Sequence, residues 1–474
     1  MKQILPYFLA FTSTLYADEA PTFTQNVAPI IFNHCTSCHR PGEAAPFPLT
    51  NYTETKKRAR LIVQVTEEHY MPPWQAEPGD VAFADERRLT EEQIAILAAW
   101  QKAGMPEGPE SALPEMPEFK SGWQLGEPDL VVQMTEGFTV PADGPDVYRN
   151  FVIPLQFKED KWVKAVEFRP GSPKVVHHSL FYLDKTGEAR KLDGQDGKPG
   201  FDRMGNAVRS GGSLGGWAVG GTPRFLPDGL AYKLGAGTDL ILSTHFHPSG
   251  KKEIERSTIG FYFSDTPPKA TFTGIQLPPA FGALSHIDIP PGEKEYVKTD
   301  SFVIPADVDA FGVSAHAHYI GKKMLLTATL PSGETKTLLK INEWDFNWQE
   351  QYMYQDFYPL PEGTRIDAQV TWDNSSDNPN NPFNPPQRIK FGKESTDEMG
   401  SITLLVKPNK TSDLFTLNRA LASHRKEYAT ASAGKGQWLQ RIKNAADSNG
   451  DGRVSLKERQ EARKRWQSLR KREQ

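Results

Sequence analysis

Apolar and polar residues alternate along most of the chain in short runs rather than long helical stripes. Between residues 123 and 407, the apolar runs 162–168, 180–183, 239–244, 257–263, 325–330 and 365–372 are separated by turn-forming residues. Runs of that length and spacing predict strands stacked as antiparallel β-sandwiches. The turn-rich segment Ile287, Asp288, Ile289, Pro290, Pro291, Gly292 lies near the middle. It suggests a first sandwich over 123–280 and a second over 281–408. The period becomes helical at both ends. Residues 89–104 place Ile94, Leu97, Ala98 and Trp100 on one face and open with Thr90 and Gln93 at capping-box spacing. Residues 434–446 place Trp438, Leu439 and Ile442 on one face. Segments 109–122 and 409–433 read as linkers, and the basic tail after residue 458 as a solvated helix.

Composition narrows this picture. The chain has 474 residues, enough for several domains, and its net charge of −4 implies no nucleic-acid partner. Gly and Pro number 38 each, which suits turn-rich β architecture. Residues 1–17 combine Lys2, an apolar stretch and a terminal Ala17, the pattern of an export signal, so the protein is expected in the periplasm or outside the cell. No other stretch is long and apolar enough to span a bilayer.

The only two cysteines belong to Cys35-Thr36-Ser37-Cys38-His39, the C-x-x-C-H signature of covalent c-type haem attachment. Two thiols bond the porphyrin and His39 ligates the iron. Met71, followed by Pro72, Pro73 and Trp74, is the expected sixth ligand, with Met105 and His69 as alternatives. This haem module is assigned to 18–108, and its last helix resembles the C-terminal helix of small monohaem cytochromes c. At the other end, residues 447–458 match the EF-hand loop. Asp447, Asn449, Asp451, Arg453 through its carbonyl, Ser455 and Glu458 are the expected Ca2+ ligands, with the EF-hand segment and basic helix spanning 434–474.

Histidines recur in the strand region. His316 and His318 stand two apart after the apolar run 308–313, so on a strand they project to one face. His177 and His178 are adjacent and would share a metal only at a strand end or distortion. His245 and His247 close another strand, and Met399 lies in a later loop feeding a strand. Imidazoles suit zinc, copper, iron or nickel, and an added thioether favours copper, especially Cu(I).

Taken in order, His177-His178, then His245-Phe246-His247-Pro248, then His316-x-His318-Tyr319-Ile320-Gly321-Lys322, then Ser395-Thr396-Asp397-Glu398-Met399, the series resembles the copper type II, ascorbate-dependent monooxygenases. Peptidylglycine α-hydroxylating and dopamine β-monooxygenases are members of that family. The resemblance covers about residues 125–408. It implies an electron-transfer copper on His177, His178 and His245, and an oxygen-binding copper on His316, His318 and Met399. The two would face each other across a solvent-filled cleft. It implies an oxidoreductase that uses O2 to hydroxylate a small substrate, with ascorbate or a redox protein as electron donor. Two departures follow from the same comparison. The region has no cysteine where animal members are disulfide-rich, and Ser314 and Thr403 replace the Arg and Tyr that bind a peptide carboxylate. A tethered haem raises the local concentration of a one-electron donor. The expectation is therefore a multidomain chain: a small all-α cytochrome c domain, two antiparallel jelly-roll-like β-sandwich copper domains, and a short α-helical EF-hand. The alternative is an exported, non-catalytic electron-transfer or copper-binding cytochrome.

Overall fold

The computed structural model describes residues 20–432, except 42, 44, 120, 121, 203–211, 219 and 220. The signal at 1–17 and all six expected calcium ligands lie outside the described residues. The chain forms two compact units. One takes in the chain through Trp74 and then Arg87–Phe119; the other takes in Gln75–Glu86 and the chain from Lys120 onward.

The first unit is helical among the described residues. A π turn, Phe23–Val27, runs into helix α1, Ala28–His34. Helix α2, Tyr52–Glu67, starts where the Asn51 side chain accepts from the Glu54 N–H. Helix α3, Glu91–Lys102, opens with both halves of the Thr90–Gln93 capping box. Ile94, Leu97 and Trp100 of α3 pack with Phe23, Ile31 and Ile62 in one core. Each such side chain taken out of water contributes about 1.5–3 kcal/mol.

The second unit is almost wholly antiparallel sheet. Its first part contains β1 Leu130–Gln133, β2 Phe138–Val140, β3 Val147–Pro154, β4 Lys161–Arg169, β5 Val176–Asp184, the short helix α4 Glu188–Leu192, β6 Gly212–Ala218, β7 Tyr232–Leu234, β8 Asp239–Phe246, β9 Glu253–Glu255 and β10 Thr258–Phe263. One sheet has the order β1-β10-β4-β7 and the other β3-β8-β5-β6, with β2 and β9 forming a small pair. Both sheets feed one core that includes Phe151, Phe168, Phe181, Phe246 and Phe261.

The second part contains β11 Thr273–Leu277, β12 Asp288–Ile289, β13 Tyr296–Val303, β14 Val308–Ala317, β15 Gly321–Thr329, β16 Thr335–Ile341, β17 Gln351–Leu360, β18 Arg365–Trp372, β19 Ile389–Lys390 and β20 Gly400–Pro408. Its sheets run β11-β20-β14-β17 and β13-β18-β15-β16, with β12 and β19 paired separately. Ala310, Val313, Ile366, Val370, Ile402 and Leu404 are among its fully buried residues. No helix among the described residues is long and apolar enough to cross a membrane.

Three boundaries differ from the expectation. Thr273–Leu277 pairs along β20, so the second sandwich begins before residue 281. Residues 75–86, expected within the haem module, belong to the second unit because their backbone pairs there. Glu77 N–H donates to Lys340 and Asp80 N–H to Thr337 on β16, while Ala84 N–H donates to Met353 on β17 and Gln355 N–H returns a bond to Ala82. This strap thus runs along the outermost strand of each sheet, with Phe83 against Tyr352 and Tyr354. The expected linker 409–433 contains helix α5, Asp413–Ser432. It docks through buried Leu417, a His424–Asp300 ion pair at 3.0 Å and a Tyr428–Ser285 hydrogen bond.

Candidate metal centre

His177 and His178 sit at the start of β5, where the strand bulges against β8. Val176 lies opposite Phe246 and His178 opposite His245, so His177 is the extra residue between them. An extra residue breaks the strict alternation of side chains, and adjacent imidazoles then point the same way. The three ring centroids of His177, His178 and His245 are 4.9–5.4 Å apart, and one nitrogen from each lies within 4.8 Å of the others.

The nitrogens are sorted by their partners. His245 directs Nε2 at the Asp146 carboxylate, 2.9 Å away, and its Nδ1 is buried without a partner. A carboxylate only accepts, so Nε2 carries the proton and the Nδ1 lone pair is free. The Nδ1 atoms of His177 and His178 are 3.1 Å apart. Burial, with the neighbouring His245 second, holds His177 down to about 3 and His178 well below its ordinary value. Neutral imidazoles with converging lone pairs fit a metal ion. Asp146 also takes His247 Nδ1 at 2.7 Å and the Ser395 hydroxyl. Its own burial acts upward, but these hydrogen bonds hold its carboxyl well below the usual range. His247 is 62% exposed and stands outside the triad. The Tyr148 ring stacks on His245 at 4.3 Å and 9°.

The second cluster is at the end of β14. His316 and His318 have centroids 5.2 Å apart with planes at 88°. His316 Nδ1 faces Gln349 Oε1 at 2.6 Å, and His318 Nδ1 faces the Asp397 carbonyl at 3.1 Å. Both acceptors place the proton on Nδ1 and leave the Nε2 lone pairs for a metal. Burial pushes His316 down to about 4 and His318 well below its ordinary value. The β14–β20 register sets His316 opposite Ser401 and Ala317 opposite Gly400, so Met399 is the next residue, at the level of His318. The preceding Glu398 is fully buried. Its carboxylate accepts from the His318, Ile320 and Met399 N–H groups and from Trp372 Nε1, all within 2.9–3.2 Å. Burial pushes this carboxyl upward, while the four N–H donors pull the other way and favour its ionised, accepting form.

The Phe346 ring touches both clusters. The Phe346 ring stacks on His177 at 4.4 Å and 18° and meets His318 at 5.7 Å, edge to face. Those two steps cap the separation of the His177 and His318 rings at about 10 Å. Ser395 in the loop before Met399 also bonds Tyr148 at 3.3 Å.

In the helical unit, Cys35 and Cys38 are free, half-buried thiols just beyond α1. His39 Nδ1 donates to the Phe47 carbonyl at 3.0 Å, which leaves Nε2 for an axial bond, so this donor set fits haem. Burial holds His39 below its ordinary value against that hydrogen bond. Met71 is half-buried, with its N–H bonded to Val65. The His69 side chain is 59% exposed beside Glu91, whereas Met105 packs on the core.

No family model matches the chain, and no curated protein matches it. Solved structures resemble it only at low similarity. A chain of Broad Bean Stain Virus is 6% identical over 61% of this chain and 90% of its own, with a TM-score of 0.26. One from Sulfolobus Turreted Icosahedral Virus is 11% identical over 65% and 98%, with a TM-score of 0.25. A two-domain protein of unknown function from Bacteroides fragilis is 7% identical over 55% and 94%, at 0.15. At these values they carry no argument about this chain.

Asp146, Gln349, Ser395, Phe346 and Glu398 were not among the expected site residues. Each acts on a histidine or on its strand from a distant point in sequence. The local signal was that Ser395 and Glu398 fall in the short motif that ends at Met399.

Proposed function

We propose that the second unit is a copper-dependent monooxygenase that hydroxylates a C–H bond of a small substrate, with electrons supplied through the haem module, ascorbate or both. The observation that carries this reading is the pairing of two buried imidazole clusters in which His245, His316 and His318 each have one ring nitrogen freed by a hydrogen bond on the other. The overall change is R–H + O2 + 2e− + 2H+ → R–OH + H2O, and two one-electron centres match its demand. Bound copper would supply that one-electron chemistry and an open position for O2. His177, His178 and His245 would hold one ion, with Asp146 fixing the His245 ring. His316, His318 and Met399 would hold the other, with Gln349 and the Asp397 carbonyl fixing the imidazoles. Cys35, Cys38 and His39 would bind the haem, with Met71 as sixth ligand.

The deciding experiment is anaerobic reduction of the copper- and haem-loaded chain, followed by O2 uptake with a panel of C–H substrates. Met399→Ile is expected to abolish O2 consumption while the first copper stays reducible. His178→Ala is expected to block electron supply instead. Substrate-dependent uptake that survives both changes would refute the oxygenase. One observation favours a second reading, a copper-binding electron-transfer protein: Phe346 fills the interval a substrate would need. Two bound coppers with no uptake on any substrate would select it.

A further inference from the structure

The loop between β16 and β17 touches both histidine clusters. Phe346, 5% exposed, covers the His177 ring, whose Nε2 is buried with no hydrogen-bond partner. The same ring meets His318, and it packs on Tyr319 at 4.7 Å. Three residues on, one amide ties the loop to the second cluster. Gln349 Nε2 donates to the Phe346 carbonyl at 3.1 Å, and its Oε1 accepts from His316 Nδ1 at 2.6 Å. The Phe346 backbone and the His316 ring therefore cannot shift independently without losing a hydrogen bond. The loop is held from outside by Gln75 of the strap. Its Nε2 donates to the Asp345 carbonyl at 2.8 Å and to the Trp348 carbonyl at 3.0 Å, one on each side of Phe346.

We infer that Phe346 is the gate to the interval between the two histidine clusters, with Gln349 coupling its position to His316 and Gln75 latching it shut. A group enters the interval only by displacing the Phe346 ring, and that displacement pulls on the Gln349 amide that orients His316. Access to one cluster and ring orientation at the other are thus a single movement. As a gate for substrate, this rests on the oxygenase reading; as a steric shield over His177, it does not.

The test uses the full chain without copper, so that it stands whatever the metal. Diethyl pyrocarbonate acylates neutral imidazoles, and mass spectrometry reads the modification at each histidine. In the unaltered chain His177 should be protected and His247 reactive. Phe346→Ala, and separately Gln75→Met, should raise the rate at His177 by about tenfold, the factor that corresponds to about 1.4 kcal/mol of lost closure. His424, remote from the loop, is the control. An unchanged His177 in both variants, or a rise that His424 shares equally, overturns the gate. Copper stoichiometry, measured in parallel, addresses the parent reading: a chain that binds no copper sinks the oxygenase and leaves the labelling result standing.

Discussion

At the residue scale, three imidazoles are each oriented by a partner remote in sequence: Asp146 for His245, Gln349 for His316 and the Asp397 carbonyl for His318. Two histidines two apart on a strand share a face by geometry alone, so His316 and His318 stood out at once. The adjacent pair needed a bulge, and a bulge is set by the register against β8, which no local pattern encodes. Asp146 comes 99 positions before the histidine it orients, in an ordinary turn-like stretch. Its effect is measurable. Asp146→Asn keeps the shape but removes the charge behind His245, and loss of such a partner typically weakens metal binding about 10–100-fold. Copper titration should show that loss at one site of two; equal affinity would mean the carboxylate only braces the fold. Glu398 has a different task. Four N–H groups converge on its carboxylate, so Glu398→Gln would turn one acceptor into a donor facing donors. We expect a cost of about 1–3 kcal/mol in urea unfolding, the penalty of buried groups left unpaired.

At the element scale, strand positions followed the apolar runs closely, because alternation reports one buried face. The residues 239–244 foreseen as a strand lie within β8, and 365–372 coincide with β18. Helix α5 was missed because few of its residues are buried: Leu417 is, whereas Phe415 is 74% exposed. Much of its hold on the sandwich is therefore polar, and that makes it pH-dependent. The Asp300 hydrogen bond, followed by burial acting downward, raises His424 above its ordinary value of 6.5. A raised histidine stabilises the fold fully below about 6.5, and the contribution fades as pH climbs through the raised value. The stability difference between the unaltered chain and His424→Gln, from unfolding at a series of pH values, should be largest under mild acid and shrink toward alkaline pH. A gap that widens with pH would contradict the ion pair. Gly400, at the head of β20, is closely packed. A Cβ there would run into the Trp372 indole that donates to Glu398. Gly400→Ala should lower the melting temperature and loosen the Met399 segment, seen as faster amide exchange at Met399 and Ser401.

At the scale of the whole molecule, motifs announced the modules, but the chain does not keep them as consecutive blocks. It leaves the helical unit at Trp74, spends Gln75–Glu86 on the second sandwich, and returns at Arg87. That stretch was expected with the haem motif because it lies between Cys35-x-x-Cys38-His39 and the helix predicted at 89–104. Its role is set by what it covers. β16 and β17 are each the last strand of their sheets, and the strap meets the backbone of both on one side of the sandwich. Unsatisfied sheet margins recruit further strands from other molecules. Cutting the protein before residue 120 to isolate the β region would uncover two such margins together. We expect that shortened chain to self-associate, with sedimentation that depends on concentration, while the full-length protein stays monodisperse under the same conditions. A shortened chain that is equally monodisperse and equally stable would show the strap to be dispensable. If it is not, the two modules cannot be exchanged with those of another protein by a single crossover: a junction after residue 86 parts the strap from the sheets it covers, and one before residue 75 parts the helical segments on either side of the strap, so they must be inherited, expressed and folded together.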